Sequence, residues 1–279
     1  MNLRCSSAHS LESAAIFFAA HANLEVLHLD LPLERSASAF GIGTAPTLDL
    51  SPNALPKLRE LRCSKTIATA ILNCPSDPPR PLEVLKGITL SGSDWDNLFF
   101  ASLKQCGMSV RRLELAGWND FDDIKRLVEC VPKLTWLDVN KHKRTHEAPE
   151  QTSTSHSHAG RRNDAPSSRN AATGLGVATN VTEWATVLAP LTELTTFIGV
   201  KFFYEVSSLT LATLATSSPL SLSTSELSRV RKNDKVAGML GNKCSKLRRL
   251  DHWEEGGGRV IVLSRDGNEV KWEVKRLKV

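Results

Sequence analysis

Apolar residues recur along this chain as a triplet at positions 1, 4 and 6 of a short unit. The clear copies are Leu24, Leu27 and Leu29; Leu58, Leu61 and Cys63; Val110, Leu113 and Leu115; and Leu134, Leu137 and Val139. Looser copies start at Leu82, Leu194 and Leu247, with Leu85, Phe197 and Leu250 three positions on. Positions 4 and 6 share one side of an extended strand, so both can enter a core, and position 1 turns in just ahead of it. Between triplets lie helix-like stretches at Thr66–Leu72, Asp96–Cys106 and Asp120–Cys130. In the last, Phe121, Ile124, Leu127 and Val128 fall on one helical side.

The first residues of successive units are 34, 24, 28, 24, 60 and 53 positions apart. Spacings of 24 and 28 lie within the roughly 20–29-residue period of leucine-rich repeats. One strand and one helix of this size cannot bury their apolar faces alone, but stacked units share a continuous core. The fold class expected is therefore α/β: an irregular leucine-rich-repeat-like solenoid, a short arc with parallel strands inside and helices outside. Position 9 of the clear units holds Pro32, Thr66, Trp118 and His142. The Asn or Cys ladder of regular repeats is missing, hence the irregular arc. Ser93-x-x-Asp96 and Asp120-x-x-Asp123 supply helix caps and first-turn carboxylates. Cys106, Cys130 and Cys244 fall at crowded helix ends, where a small apolar thiol suits packing.

Three segments divide the chain. Residues 1–140 carry repeats. Residues 141–178 hold almost no large apolar side chain and are rich in Ser, Thr, Ala, Gly and Arg, so a disordered basic insert is expected there. Removing it brings the 60-residue spacing close to one period. Residues 179–279 return to repeats and then to a cap. Ser223-x-x-Glu226 reads as a capping box opening a helix over Thr224–Leu240, with Gly241 placed to end it. Val260–Leu263 and the alternating Val270, Trp272 and Val274, joined through Asp266-Gly267, read as a C-terminal β-hairpin cap. The N-terminal run LESAAIFFAAHA is apolar around most of its circumference, which suggests a start inside a longer array or beside another domain.

Charge changes the picture only locally. The net charge is +5 over 279 residues, too little for a dedicated nucleic-acid binder. It concentrates in the insert (six Lys and Arg against three Asp and Glu) and in residues 225–279 (fourteen against eight). No apolar run reaches membrane-span length and no signal-type stretch opens the chain, so a cytoplasmic or nuclear protein is expected, without nucleic acid or membrane as partner.

No catalytic, metal or cofactor site is expected. His142, His146, His156 and His158 lie in the segment least able to hold geometry, Cys5 near His9 makes no ligand set, and there is no Cys-x-x-Cys. Gly256-Gly257-Gly258 lacks the Lys-Ser/Thr of a phosphate loop, and no Gly-x-Ser-x-Gly elbow is present. The candidates are for protein binding: Trp95 and Trp118 in loops along one rim, and the basic residues Arg229, Arg231, Lys232, Arg248 and Arg249.

The segments CVPKLTWLDV, TFIGVKFFYEVSSL and above all KCSKLRRLDHWEEGGGRVIVLSRDGNEVKWEVKRLKV resemble basidiomycete fungal F-box/leucine-rich-repeat-like proteins. The resemblance spans roughly Leu24–Asn140 and Asn180–Val279. It implies a non-enzymatic module that selects a protein substrate for a cullin-type ubiquitin ligase. The family's F-box docks on the ligase adaptor. Here Leu31-Pro32-Leu33-Glu34 matches its opening letters, but RSASAFGIG follows without an apolar helical stripe. The adaptor is thus an expected partner only if an F-box lies upstream of Met1. The other reading is a degenerate or truncated paralogue acting as a scaffold with no ligase role.

Overall fold

The computed structural model describes residues 2–4, 9–30, 48–92, 94–139, 180–215, 222–252, 258–267 and 269–276. The insert at 141–178, the Leu31–Glu34 motif, Cys5, Trp253, Gly256 and Gly257 lie outside the described residues. The fold is mixed α/β, an open and mostly parallel sheet with helices. The N-terminal elements are β1 (Asn2–Arg4), α1 (His9–Ala20), β2 (Val26–Asp30), β3 (Glu60–Arg62), α2 (Lys65–Asn73) and β4 (Val84–Thr89). They are followed by α3 (Asp94–Cys106), β5 (Arg112–Gly117), α4 (Phe121–Cys130) and β6 (Trp136–Asp138). The remainder are α5 (Val181–Leu188), β7 (Thr196–Ile198), α6 (Ser208–Ala215), α7 (Thr224–Lys243), β8 (Arg249–Asp251), β9 (Arg259–Asp266) and β10 (Glu269–Arg276).

All ten strands form one sheet in chain order. Strands β1 to β8 pair in parallel, whereas β9 and β10 are antiparallel to their neighbours. β6 and β7 are adjacent although residues 139–195 separate them in sequence.

The triplets explain this order. Leu27, Leu61, Leu85, Leu113, Leu137, Phe197, Leu250 and Ile261 are in register across β2 to β9 and are all buried. Position 1 is buried from Leu58 onward, at Leu82, Val110, Leu134, Leu194 and Leu247, and Leu24 is half-buried. Each such side chain contributes about 1.5–3 kcal/mol on burial, so this ribbon dominates the stabilising side of the fold. Buried residues of α1 to α5 and of α7 join the same cluster, among them Phe18, Ile67, Phe99, Ile124, Trp184 and Val236.

The backbone repeats a single step. The carbonyl before each strand accepts two N–H groups from the next unit: Glu25 from Arg59 and Glu60, Arg59 from Glu83 and Val84, Glu83 from Arg111 and Arg112. Arg111 does so for Thr135 and Trp136, Thr135 for Thr195 and Thr196, and Thr195 for Arg248 and Arg249, all at 2.8–3.1 Å. The next carbonyl, Arg248, accepts the N–H of Leu263 at 2.9 Å, so the hairpin takes over where the units stop.

The expected helices form, with two corrections. α7 runs on through Gly241 to Lys243 and ends at Cys244. Gly241 therefore does not terminate it. A Cβ there would stand 2.6 Å from Val270, so glycine serves the close approach of β10 to the helix. Ser223 Oγ accepts the Glu226 N–H at 3.2 Å, but the Glu226 carboxylate does not complete a capping box and instead accepts from the Thr210 hydroxyl.

At the start of α4, the Asp120 carboxylate caps by accepting the Asp122 N–H at 2.9 Å. Asp123 is buried, and its Oδ2 has no hydrogen-bond partner. Burial first, then the charges of Asp96 and Asp120, raise its carboxyl above the ordinary carboxylate range. A raised folded value means a stability contribution that is full below the unfolded value and lost as pH rises through the folded one. Titrated stability curves of wild type and Asp123→Asn are therefore expected to converge in acid. As pH rises toward neutral, wild type falls behind with a slope of at most about 1.4 kcal/mol per pH unit. Parallel curves would contradict this account of Asp123.

Candidate binding face on the open side of the sheet

Strand alternation turns the residues beside the core ribbon to the opposite side of the sheet. Two rows result. One holds Val26, Glu60, Val84, Arg112, Trp136, Thr196 and Arg249; the other holds His28, Arg62, Lys86, Glu114, Asp138, Ile198 and Asp251. Apart from the buried Thr196, they are half-buried or exposed.

Cross-strand pairs organise this face. Glu60 accepts from His28 Nε2 at 2.9 Å and from Lys86 Nζ at 2.8 Å. These contacts, Lys86 foremost, pull its carboxyl below the usual carboxylate range against the opposing effect of burial. Arg112 Nε donates to Glu114 at 2.6 Å, and its guanidinium lies 4.2 Å from the Trp136 ring centre. An Arg held by both a carboxylate and an aromatic face retains little rotamer freedom to lose on binding. Asp251 accepts the Gly199 N–H at 2.7 Å. Burial, and secondarily the charge of Asp138, raise its carboxyl above the ordinary range, with Lys201 and that hydrogen bond opposing.

The candidates named from sequence are dispersed. Trp118 is only 8% exposed and meets Trp184 edge-on at 5.8 Å, inside a cluster that also holds Phe121, Phe197 and Phe202. Trp118 does lie in the loop between β5 and α4, but the expectation that it meets a partner is corrected: its ring is buried among these aromatic side chains. Trp95 belongs to the first turn of α3, not to a loop, and its side chain lies outside the described residues. Arg229, Arg231 and Lys232 are exposed on α7, whose Val236, Ala237 and Leu240 pack into the core from the helix side. Arg229 donates to the Glu205 carbonyl at 3.1 Å, and Lys232 lies 5.0 Å from the Tyr204 ring centre. Arg248 is exposed just before β8, and Arg249 alone of the five stands in the rows of the open face. The basic residues thus make no single patch.

What sequence reading passed over was the residue between positions 4 and 6 of each unit. His28, Arg62, Lys86, Glu114, Asp138 and Asp251 all occupy that place or its counterpart, beside leucines already recognised. Their alternation with the core was the available signal.

No chemistry of another kind gathers here. Among the described residues, no group of three or more His, Cys, Asp or Glu side chains is arranged to hold a metal, and no helix is long and apolar enough to cross a membrane. Cys63, Cys74, Cys130 and Cys244 are buried and Cys106 is half-buried, all as free thiols. Burial pushes Cys106 and Cys244 up to about 11, and it raises Cys63 and Cys130 as well. These cysteines pack helix ends and strands. In a Cys5→Ser chain, alkylation of Cys106 and Cys244 by iodoacetamide at neutral pH is expected to run at least about a hundredfold slower than in denaturant, since the thiolate is the reactive form. Mass spectrometry that found Cys106 or Cys244 modified at the free-thiol rate would contradict this. No family model, curated protein or solved structure matches the chain.

Proposed function

We propose that this chain is a non-enzymatic recognition module, a leucine-rich-repeat-like solenoid whose open sheet face docks a protein partner. In this reading it resembles the substrate-selecting part of F-box proteins of cullin-type ubiquitin ligases. The observation that carries it is the pre-paired face: Glu60 bridging His28 and Lys86, and Arg112 fixed between Glu114 and Trp136. Charged side chains held in place across adjacent strands offer contacts spread over many residues, as extended repeat surfaces do.

Affinity purification from basidiomycete cells, the source the resemblance implies, tests the reading. Wild type is compared with an Arg62→Ala/Lys86→Ala/Trp136→Ala chain whose folding is checked by circular dichroism. Partners retained by wild type and lost by the variant are expected, and ligase adaptors among them would support the ligase role. Identical recoveries from both chains would overturn the docking face.

A further inference from the structure

The sheet ends at β10, whose outer edge has no strand beside it among the described residues. The backbone of that edge is arranged to take one. Leu263 donates its N–H to Arg248, just before β8, so the alternate residues Val262 and Ser264 turn theirs toward β10. They pair with Glu273 and Lys271, which leaves Val270, Trp272 and Val274 presenting N–H and C=O groups outward.

The side chains alternate as well. Val270, Trp272 and Val274 are half-buried on the face that α7 covers, where Gly241 approaches Val270 and the Trp272 indole donates to Asp234 at 2.9 Å. Glu269, Lys271, Glu273 and Lys275 are exposed on the other face, which the pairing of Val262 with Arg249 makes continuous with the open face. Across the hairpin they face Asp266, Ser264, Val262 and Val260. Lys271 pairs with Asp266 at 2.8 Å and Lys275 with Glu273 at 2.5 Å. Both contacts are open to water, so they hold their partners only weakly.

Charged residues on an edge strand ordinarily prevent pairing with another chain. Here their order admits one register along the whole strand. A two-fold axis through Trp272 lays a second β10 antiparallel to the first. Glu269 then lies opposite Lys275, Lys271 opposite Glu273, Val270 opposite Val274, and Trp272 opposite its own counterpart. Every charged position meets the opposite sign, and the contact of Lys275 with Glu273 within each strand persists as part of the same chequerboard. Moving the axis by one residue, to Lys271 or to Glu273, sets Lys against Lys and Glu against Glu.

We propose that the chain forms a two-fold symmetric dimer in which β10 pairs antiparallel with β10 of a second copy, Trp272 lying on the axis. The two sheets join edge to edge, so the open faces of both copies become one surface. The α7 helices stand on the other side of the joined sheet, one to each side of the axis. Complementarity drives the pairing and exclusion fixes its register, since slipped arrangements oppose like charges. The interface does not depend on the open face docking a partner.

Sedimentation equilibrium of the full chain tests this, and a monomer–dimer equilibrium is expected. Lys271→Glu/Lys275→Glu makes the charged row of β10 wholly acidic, and Glu269→Lys/Glu273→Lys makes it wholly basic. Each variant, its fold checked by circular dichroism, should dimerise about tenfold or more weakly than wild type. Mixed in equal amounts, the two should form a heterodimer at least as tight as the wild-type dimer. A wild-type chain that stays monomeric up to millimolar concentration would overturn the proposal. So would a dimer that neither substitution weakens, or two variants that stay apart on mixing.

Discussion

Asp96→Ala is expected to destabilise the chain by about 3–5 kcal/mol, a large share of an ordinary domain's stability. Asp96 is wholly buried at the start of α3, and Lys65 is nearly so at the start of α2. Their side chains pair directly, Lys65 Nζ also donates to Ser91 Oγ at 2.9 Å, and Asp96 accepts the Ser91 N–H at 2.8 Å. An ammonium at a helix N-terminus faces the positive end of the macrodipole, so α2 starts with an unfavourable charge. Nor does the adjacent Ser64 compensate, since it makes no side-chain cap and its Oγ has no partner. Among the described residues, the Asp96 carboxylate is the negative charge that makes Lys65 tolerable there.

Removing that carboxylate leaves an ammonium in the core with a hydroxyl for company. The double variant Lys65→Met/Asp96→Leu is expected to recover most of the loss, because apolar replacement of a buried pair is often neutral or better. It should not recover everything, since the Ser91 N–H, on an exposed residue, exchanges its carboxylate acceptor for water at a cost of about 0.5–1.5 kcal/mol. Denaturant titrations of Asp96→Ala, of the single variants Lys65→Met and Asp96→Leu, and of the double variant check this. A loss below about 1 kcal/mol for Asp96→Ala, or strict additivity in the double variant, would refute the account.

That pair also marks where sequence stops being legible. Lys65 and Asp96 are 31 residues apart, and nothing in their own neighbourhoods announces the contact. It exists because α2 and α3 lie side by side once β3 and β4 pair, so it belongs to the stacking and not to either segment. The triplets were legible because each is a local pattern whose meaning does not depend on its neighbour. Leu61, Leu85, Leu113 and Leu137 fall into register with no shift at that position. The hairpin was legible for the same reason, its alternation surviving in Val270, Trp272 and Val274.

Trp118 and Gly241 were misread because composition suggested a local role that packing overrode. A tryptophan after a strand resembles an exposed anchor until Trp184, more than sixty residues on, closes over it. A glycine late in a helix resembles a terminator until Val270 arrives against it. The candidate face stands between these cases. Its residues were visible in every unit, but their pairing, Glu60 with His28 and Lys86, acquires meaning only when the strands are laid side by side.

Glycine gives the second large effect, and a contrast that isolates its cause. Gly107 follows α3 directly, and a Cβ at this position would lie 1.8 Å from the Cys130 carbonyl oxygen and 2.9 Å from the carbonyl oxygen of Leu103. Both obstacles are backbone, one at the end of α4 and one in α3 itself, so no rotamer change can clear them. Gly107→Ala must separate the ends of two adjacent helices, and the expected cost is about 3 kcal/mol or more, at the upper end of overpacking. The strain would also reach the candidate face, because Gly107 accepts the Val110 N–H at 3.3 Å and β5, with Arg112 and Glu114, begins two residues later. Gly238 lies inside α7 with nothing within 4 Å of an added Cβ. There the same substitution removes only the entropy cost of glycine in a helix, and Gly238→Ala should stabilise by about 0.5–1 kcal/mol. Thermal or denaturant melts of the two variants should therefore shift in opposite directions. A shift in the same direction would mean that Gly107 is not pressed between α3 and α4.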